Sequence, residues 1–199
     1  DVRFILMSHE HFDHVGAHAA LAEATGAKIV ASPRAKTVLE SGLAAADDPQ
    51  AAMDDPPMTP VKVGQITSDG DVLRLGEAEF TAHATPGHTP GAMSWTWNSC
   101  NLASEPRACS RMAYADSLSA VSADGYRFSD HPAYVAAFRA SIEKVRMLPC
   151  DFLVTPHPSA SELLKNLRDG TFGAPGQCET YADALSAKLD ARLAKEADR

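Results

Sequence analysis

Three features of the 199-residue sequence predict an α/β fold. An apolar strand pattern at 2–7, an alanine-rich helical segment and a second strand pattern follow one another, which is the order of a right-handed parallel crossover. A hairpin pattern lies near the middle of the chain, and amphipathic helix patterns lie towards its end. The length and the 45% of hydrophobic residues suit one domain with a sizeable core, and we assign 1–199 to it.

The first part of the chain alternates between strand and helix patterns. Strands are predicted at 2–7 and 28–32, because both are short, nearly continuous apolar runs. Helices are predicted at 12–24 and 33–42. Residues 44–59 are rich in Ala, Asp and Pro and have no period, which indicates a surface loop.

The second part combines strands with two long helices. A hairpin is predicted from 71–75 and 78–83. Further strands are predicted at 92–97, 112–115 and 152–155. Two sets of apolar residues recur at helical spacing, each on one helix face: Val135, Phe138, Ile142 and Val145, and then Leu185, Leu189 and Leu193.

Charge and hydropathy exclude two classes of partner. The chain carries 26 acidic and 18 basic residues, a net charge of −8, which argues against binding to a nucleic-acid backbone. No apolar run approaches the ~20 residues that a membrane helix needs. We therefore expect no nucleic acid and no membrane among its partners.

The four cysteines suit two disulfides in an oxidising compartment, and three pairings are possible. Cys100–Cys109 would close a short polar loop, and Cys150–Cys178 would attach the C-terminal segment to a core strand. The residues alone leave the choice among the three pairings open, and this is the one that we carry forward. Four free thiols in a cytosolic protein are the alternative.

Residues 8–14 (SHEHFDH) carry the strongest chemical signal. Three histidines and an aspartate lie where an apolar strand ends and a helix begins, a position at which α/β folds build sites. In extended backbone, His9 and His11 point the same way and can bind one ion. Asp13 and His14 follow on the turn and can reach a second ion. Imidazole and carboxylate ligands suit zinc.

This HxHxDH motif resembles that of the metallo-β-lactamase superfamily. Three further segments match the superfamily in the expected order: 85–91 (TPGHTPG), 114–119 (YADSLS) and 155–158 (TPHP). The segments 148–151 (LPCD) and 155–161 (TPHPSAS), together with YADSLS, make the chain most similar to subclass B3. The resemblance implies a four-layer αββα sandwich, and compared with a complete member we expect this chain to lack the N-terminal strands.

The resemblance also implies an activity and its ligands. His9, His11 and His88 would hold a first zinc ion, and Asp13, His14 and His157 would hold a second. A hydroxide bound by the two Zn²⁺ ions would open the β-lactam ring of an antibiotic, which is a resistance activity. The resemblance further implies a monomer in the periplasm or outside the cell.

The segment after Tyr114 separates this hypothesis from its rivals. Glyoxalase II-type thioesterases, lactonases and phosphodiesterases of the superfamily place a metal-bridging carboxylate there. In subclass B3 we expect Asp116 to orient ligands by hydrogen bonds, and Ser117 and Ser119 to contact the substrate carboxylate. The alternatives are another hydrolase of this fold, or a zinc-binding fragment without activity.

Overall fold

Two β-sheets form the centre of the structure, a computed structural model that describes residues 1–101, 103, 106 and 108–198. The strands are β1 (Phe4–Leu6), β2 (Lys28–Ala31), β3 (Val63–Ile66), β4 (Val72–Leu75), β5 (Ala78–Ala84), β6 (Met93–Asn101), β7 (Ala108–Tyr114) and β8 (Phe152–Val154). The helices are α1 (Phe12–Val15), α2 (His18–Thr25), α3 (Pro33–Ser41), α4 (Pro132–Arg146), α5 (Leu163–Asp169) and α6 (Gln177–Ala197), with a 3-10 turn at Phe128–Asp130. The polar loop predicted between Cys100 and Cys109 lies partly outside the described residues.

The sheet topology confirms the α/β class. The first sheet has the order β1-β2-β3, and all of its neighbouring strands are parallel. The second sheet has the order β4-β5-β6-β7-β8, antiparallel except for the last pair. The predicted crossover from β1 to β2 is therefore present, and so is the predicted β4–β5 hairpin.

Two clusters of buried side chains join these layers. One fills the space between the sheets and includes Met7, Val30, Leu73, Met93 and Trp95. The other lies between the second sheet and helices α4 and α6, and includes Leu153, Phe138, Ile142, Leu185 and Leu189. Helix α3 packs against the first sheet through buried Ala35 and Leu39. The arrangement confirms the expected αββα order of layers.

Some elements differ from the sequence prediction. The helix predicted at 12–24 is divided into α1 and α2 at Gly16 and Ala17, and a Cβ atom at Gly16 would lie 2.6 Å from the Phe12 carbonyl oxygen. Strand β3 was not predicted, since its sequence Val-Gly-Gln-Ile has no continuous apolar run. Helix α5 was also not predicted, and it buries none of its residues.

Both disulfides connect neighbouring elements. Cys100 lies directly opposite Cys109 on β6 and β7, and the two are bonded. The second bond joins Cys150, just before β8, to buried Cys178 in the first turn of α6. No helix among the described residues is both long enough and apolar enough to cross a membrane.

We predict that the two disulfides contribute unequally to stability. Removing Cys150–Cys178 with alanine at both positions should lower the free energy of unfolding by about 3–4 kcal/mol, because this bond closes the longer loop, 28 against 9 residues. The matched control, alanine at Cys100 and Cys109, should cost about 2–3 kcal/mol. Urea denaturation measures both, and an equal or larger loss in the control would contradict the prediction.

Candidate metal centre

The predicted site residues meet at one edge of the two sheets. His9 and His11 follow the end of β1, and His88 lies in the turn between β5 and β6. Asp116 follows β7, and His157 follows β8. Because β1, β5, β7 and β8 all deliver their carboxyl ends to this edge, residues separated by up to 148 positions come together there.

The rings of His9, His11 and His88 form a nearly equilateral triangle. Their centroids lie 5.0 Å apart for His9 and His11, 4.7 Å for His9 and His88, and 4.9 Å for His11 and His88. The ring planes are close to perpendicular in every pair, at 86°, 87° and 79°. One nitrogen of each ring lies within 4.8 Å of the others, so the three can act as ligands of one ion.

A buried carboxylate fixes the orientation of His9. Nδ1 of His9 donates to Oδ1 of Asp116 at 2.7 Å, and both side chains are fully buried. Burial alone would lower the pKa of His9, but the charge and hydrogen bond of Asp116 outweigh it and raise that pKa. Among the described residues, His9 Nε2 and Asp116 Oδ2 are buried without a hydrogen-bond partner. The carboxylate thus leaves Nε2 as the free nitrogen and makes it a stronger electron donor.

The other two rings are oriented in the same way. Nε2 of His11 donates to Oδ2 of Asp48 at 3.1 Å, which leaves Nδ1 free. Nδ1 of His88 donates to the carbonyl oxygen of Ser119 at 2.9 Å, which leaves Nε2 free. Since an ionised carboxylate and a carbonyl oxygen can only accept, the tautomer of each neutral ring follows from its partner.

A second group of polar side chains lies nearer the surface. Nε2 of His14 is 3.1 Å from Nε2 of His157 and 3.1 Å from Oδ2 of Asp13. The same Asp13 oxygen is 3.6 Å from Nε2 of His157. The side chains of Asp13 and His157 are 59% and 51% exposed, whereas His9 is fully buried. The two groups therefore form a deep site and a shallow site, and the ring centroids of His9 and His14 are 3.9 Å apart.

Two of the rings are held in the neutral form that metal binding needs. Burial, with the nearby charge of His9 as a further cause, lowers the pKa of His88 to about 4. The same two causes lower the pKa of His14 to about 4. Neither ring is protonated near pH 7, so its free nitrogen keeps the lone pair that a cation requires.

The chemistry of these side chains fits zinc. Zinc prefers imidazole nitrogen and carboxylate oxygen, and its histidine ligands normally donate their second nitrogen to a carboxylate or carbonyl group. The deep site has three rings with such partners, and His9 Nε2 has no hydrogen-bond partner among the described residues. The shallow site offers one carboxylate and two rings: Asp13, His14 and His157.

The segment after β7 places its serines close to the deep site. Oγ of Ser119 is 3.1 Å from Nδ1 of His88, so this hydroxyl supports the ring as well. Ser117 is buried, and its Oγ has no hydrogen-bond partner among the described residues. Tyr181 of α6 donates to the carbonyl oxygens of Asp116 and Ser117, which fixes this turn from behind. Contact of either serine with a substrate stays a prediction.

Asp48 is a site residue that the sequence did not reveal. It lies in the loop at 44–59, which the sequence indicated as a surface loop, yet the residue is only 4% exposed. Its Oδ1 also accepts from the backbone N–H of Gln50, which holds the carboxylate towards His11. Nothing in the local composition separates this aspartate from its neighbour Asp47, which is exposed and pairs with Arg34.

Comparison with known proteins gives a consistent family and two kinds of relative. A family model described as the metallo-beta-lactamase superfamily matches residues 1–103. The curated hydroxyacylglutathione hydrolase of Jannaschia sp. (strain CCS1) is 31% identical over 150 residues, 75% of this chain and 45% of that protein. The chain spans about half the length of the curated relatives that it matches.

Solved structures match over the whole chain. The metallo-β-lactamase MIM-1 from Novosphingobium pentaromativorans is 47% identical with a TM-score of 0.90, covering 100% of this chain and 71% of that chain. MEM-A1, a subclass B3 metallo-β-lactamase isolated from a soil metagenome library, is 38% identical with a TM-score of 0.90. That match covers 100% of this chain and 76% of MEM-A1.

We predict that His88→Ala weakens zinc binding at the deep site and largely spares the shallow one. The substitution removes one of three deep ligands and none of the shallow ligands. Competition with a zinc chelator should then resolve one weakened and one retained class of ion. His83→Ala is a matched control, because His83 lies on β5, where Nε2 is 2.8 Å from Thr96 Oγ1. Equal weakening of both ions by His88→Ala would refute the division into two sites.

Proposed function

This chain belongs to the metallo-β-lactamase superfamily, and we propose that it is a subclass B3 enzyme that hydrolyses β-lactam antibiotics. The observation that carries the proposal is the likeness to solved metallo-β-lactamases over the entire chain, at up to 47% identity. The thioesterase relatives match a smaller share of the chain at lower identity. A related β-lactamase, SMB-1, has been solved with 2-mercaptoethanesulfonate bound, at 37% identity.

The position of Asp116 also supports this choice. A thioesterase of the glyoxalase II type is expected to use a carboxylate in this segment as a bridge between two metals. Here Asp116 Oδ1 contacts Nδ1 of His9, the nitrogen opposite the free Nε2. Asp116 belongs to neither group of possible metal ligands among the described residues. This contact suits a residue that orients His9 better than one that binds a metal itself.

The side chains of the site divide the work between them. When bound, a pair of zinc ions supplies Lewis acidity and lowers the pKa of water towards neutrality. His9, His11 and His88 would hold one ion in a fixed geometry, because each ring is locked by its own partner. Asp13, His14 and His157 would hold the other near the surface, where a substrate can enter. Asp13 contributes the only negative charge among these six ligands.

The disulfides support a location outside the reducing cytoplasm. Bonds such as Cys100–Cys109 and Cys150–Cys178 persist in the periplasm or outside the cell, whereas cytosolic thiols are kept reduced. We therefore propose a periplasmic or secreted enzyme. A small-molecule substrate then reaches the site without crossing the inner membrane.

Thioester hydrolysis is the second candidate, because curated relatives at 29–31% identity over 150 residues are hydroxyacylglutathione hydrolases. The zinc-loaded protein should hydrolyse a chromogenic cephalosporin and leave a hydroxyacylglutathione thioester intact. The reverse result would favour the thioesterase. Bound zinc with no turnover of either compound would favour a binding fragment without activity.

We predict that Asp13→Asn and Asp116→Asn separate these roles. Asp13→Asn should lower kcat for the cephalosporin by several orders of magnitude, because it removes the one charged ligand. Asp116→Asn should lower kcat by about 10–100-fold with two ions still bound, the scale expected when only the partner of a ligand is changed. Kinetics and metal counting on the same samples measure both. Loss of an ion from Asp116→Asn would instead make Asp116 a metal ligand and favour the thioesterase.

A further inference from the structure

Glu10 lies between two of the deep-site histidines in sequence, and its side chain has no role in the mechanism described above. The residue is 3% exposed. Its Oε2 accepts from the hydroxyl of Thr89 at 2.6 Å, and its Oε1 accepts from the backbone N–H of Gly91 at 2.8 Å. Both donors belong to the turn that carries His88.

The Glu10 carboxylate lies where three segments meet: the segment after β1, the turn that carries His88 and the start of α3. We call this meeting point the joint. A Cβ atom at Gly91 would lie 2.6 Å from Oε1 of Glu10 and 2.7 Å from the backbone nitrogen of Ala35, so glycine is required where these segments meet. The hydroxyl of Ser32, which caps α3 by accepting from Ala35, donates to the Gly91 carbonyl oxygen at 2.7 Å. The turn is thus fixed at one end by Glu10 and by the start of α3.

This joint connects the two parts of the deep site. His9 and His11 belong to the segment that contains Glu10, and His88 is adjacent to Thr89. The three rings can share an ion only if the two segments keep a constant separation. The Glu10 carboxyl group accepts hydrogen bonds from Thr89 and Gly91 and so ties the two segments together. An apolar side chain could fill this space, but it could not accept these two hydrogen bonds.

We propose that Glu10 is a positioning residue that fixes His88 relative to His9 and His11 and thereby sets the affinity of the deep site. The inference rests on the proposed two-ion centre, although it does not depend on the substrate being a β-lactam. Removing the two hydrogen bonds should let the turn shift and should weaken the deep ion. Among the described residues, no side-chain hydrogen bond joins Asp13, His14 or His157 to Glu10, Thr89 or Gly91.

The test measures zinc binding by chelator competition in Glu10→Ala, Glu10→Gln and Thr89→Val. Glu10→Ala should weaken the deep ion by about 10–100-fold and the shallow ion much less, the deep class being the one that His88→Ala weakens. Thr89→Val keeps the shape of the turn and removes one bond, so its effect should be smaller and in the same class. Glu10→Gln should largely restore binding, because an amide oxygen can accept from Gly91 and its NH₂ group can donate to the Thr89 hydroxyl.

A second buried glutamate provides the stability control. Glu196 is 4% exposed and accepts from the backbone N–H groups of Phe128 and Ser129, away from the site. Glu196→Gln should change thermal stability without separating the two zinc affinities. The proposal is overturned if Glu10→Ala weakens both ions equally or neither, or if Glu10→Gln is as weak as Glu10→Ala. If Glu10→Ala does not fold, Thr89→Val decides by the same criterion.

A wild-type measurement separates this inference from the function on which it rests. If the unmodified protein binds fewer than two ions, the two-ion centre fails and the inference fails with it. If the protein binds two ions and hydrolyses neither substrate, the proposed β-lactamase activity fails, while the zinc affinities of the Glu10 variants still decide the role of Glu10.

Discussion

The buried contact between His9 and Asp116 is the constraint on which the site depends. A buried carboxylate is costly unless it accepts hydrogen bonds, and here the Nδ1–H of His9 donates to Asp116 Oδ1 at 2.7 Å. The pairing lowers the pKa of Asp116 although burial alone would raise it. As a result one ring nitrogen is permanently engaged, and the other is held free at the floor of the site. Tyr181 holds the backbone of Asp116 in place.

Hydrogen bonds orient the other two deep rings in the same way. Each deep ring is held by its own acceptor: Asp116 and the Ser119 carbonyl belong to the segment after β7, and Asp48 belongs to the loop before β3. The shallow group has fewer constraints, since Asp13 and His157 are more than half exposed and contact mainly one another and His14. The described side chains therefore form a rigid, buried floor and a more open rim.

The layered fold makes this arrangement possible. Two sheets packed through Met7, Met93 and Trp95 present the ends of several strands at one edge, and the indole N–H of Trp95 donates to the Met7 carbonyl oxygen across that interface. The backbone N–H of Met93 donates to the Ser8 carbonyl oxygen at 2.6 Å, next to His9. The hydrophobic core is therefore directly bonded to the segment that carries His9, so a change in core packing would also shift this histidine.

The sequence by itself predicted the α/β class, most of the elements and the candidate ligand types, and the resemblance to the superfamily added the order of the layers. Short apolar runs and helical periodicity predicted most elements, because hydrophobic spacing reflects burial in each element locally. The six predicted ligands were visible because HxHxDH is contiguous and because the resemblance to the superfamily picked out His88 and His157 in the segments TPGHTPG and TPHP. The burial of Asp48 and of Glu10 was not visible, since an aspartate in a loop or a glutamate beside a histidine looks the same in sequence whether exposed or buried. Only tertiary structure decides which carboxylate meets which ring, because those contacts join residues 37 to 107 positions apart.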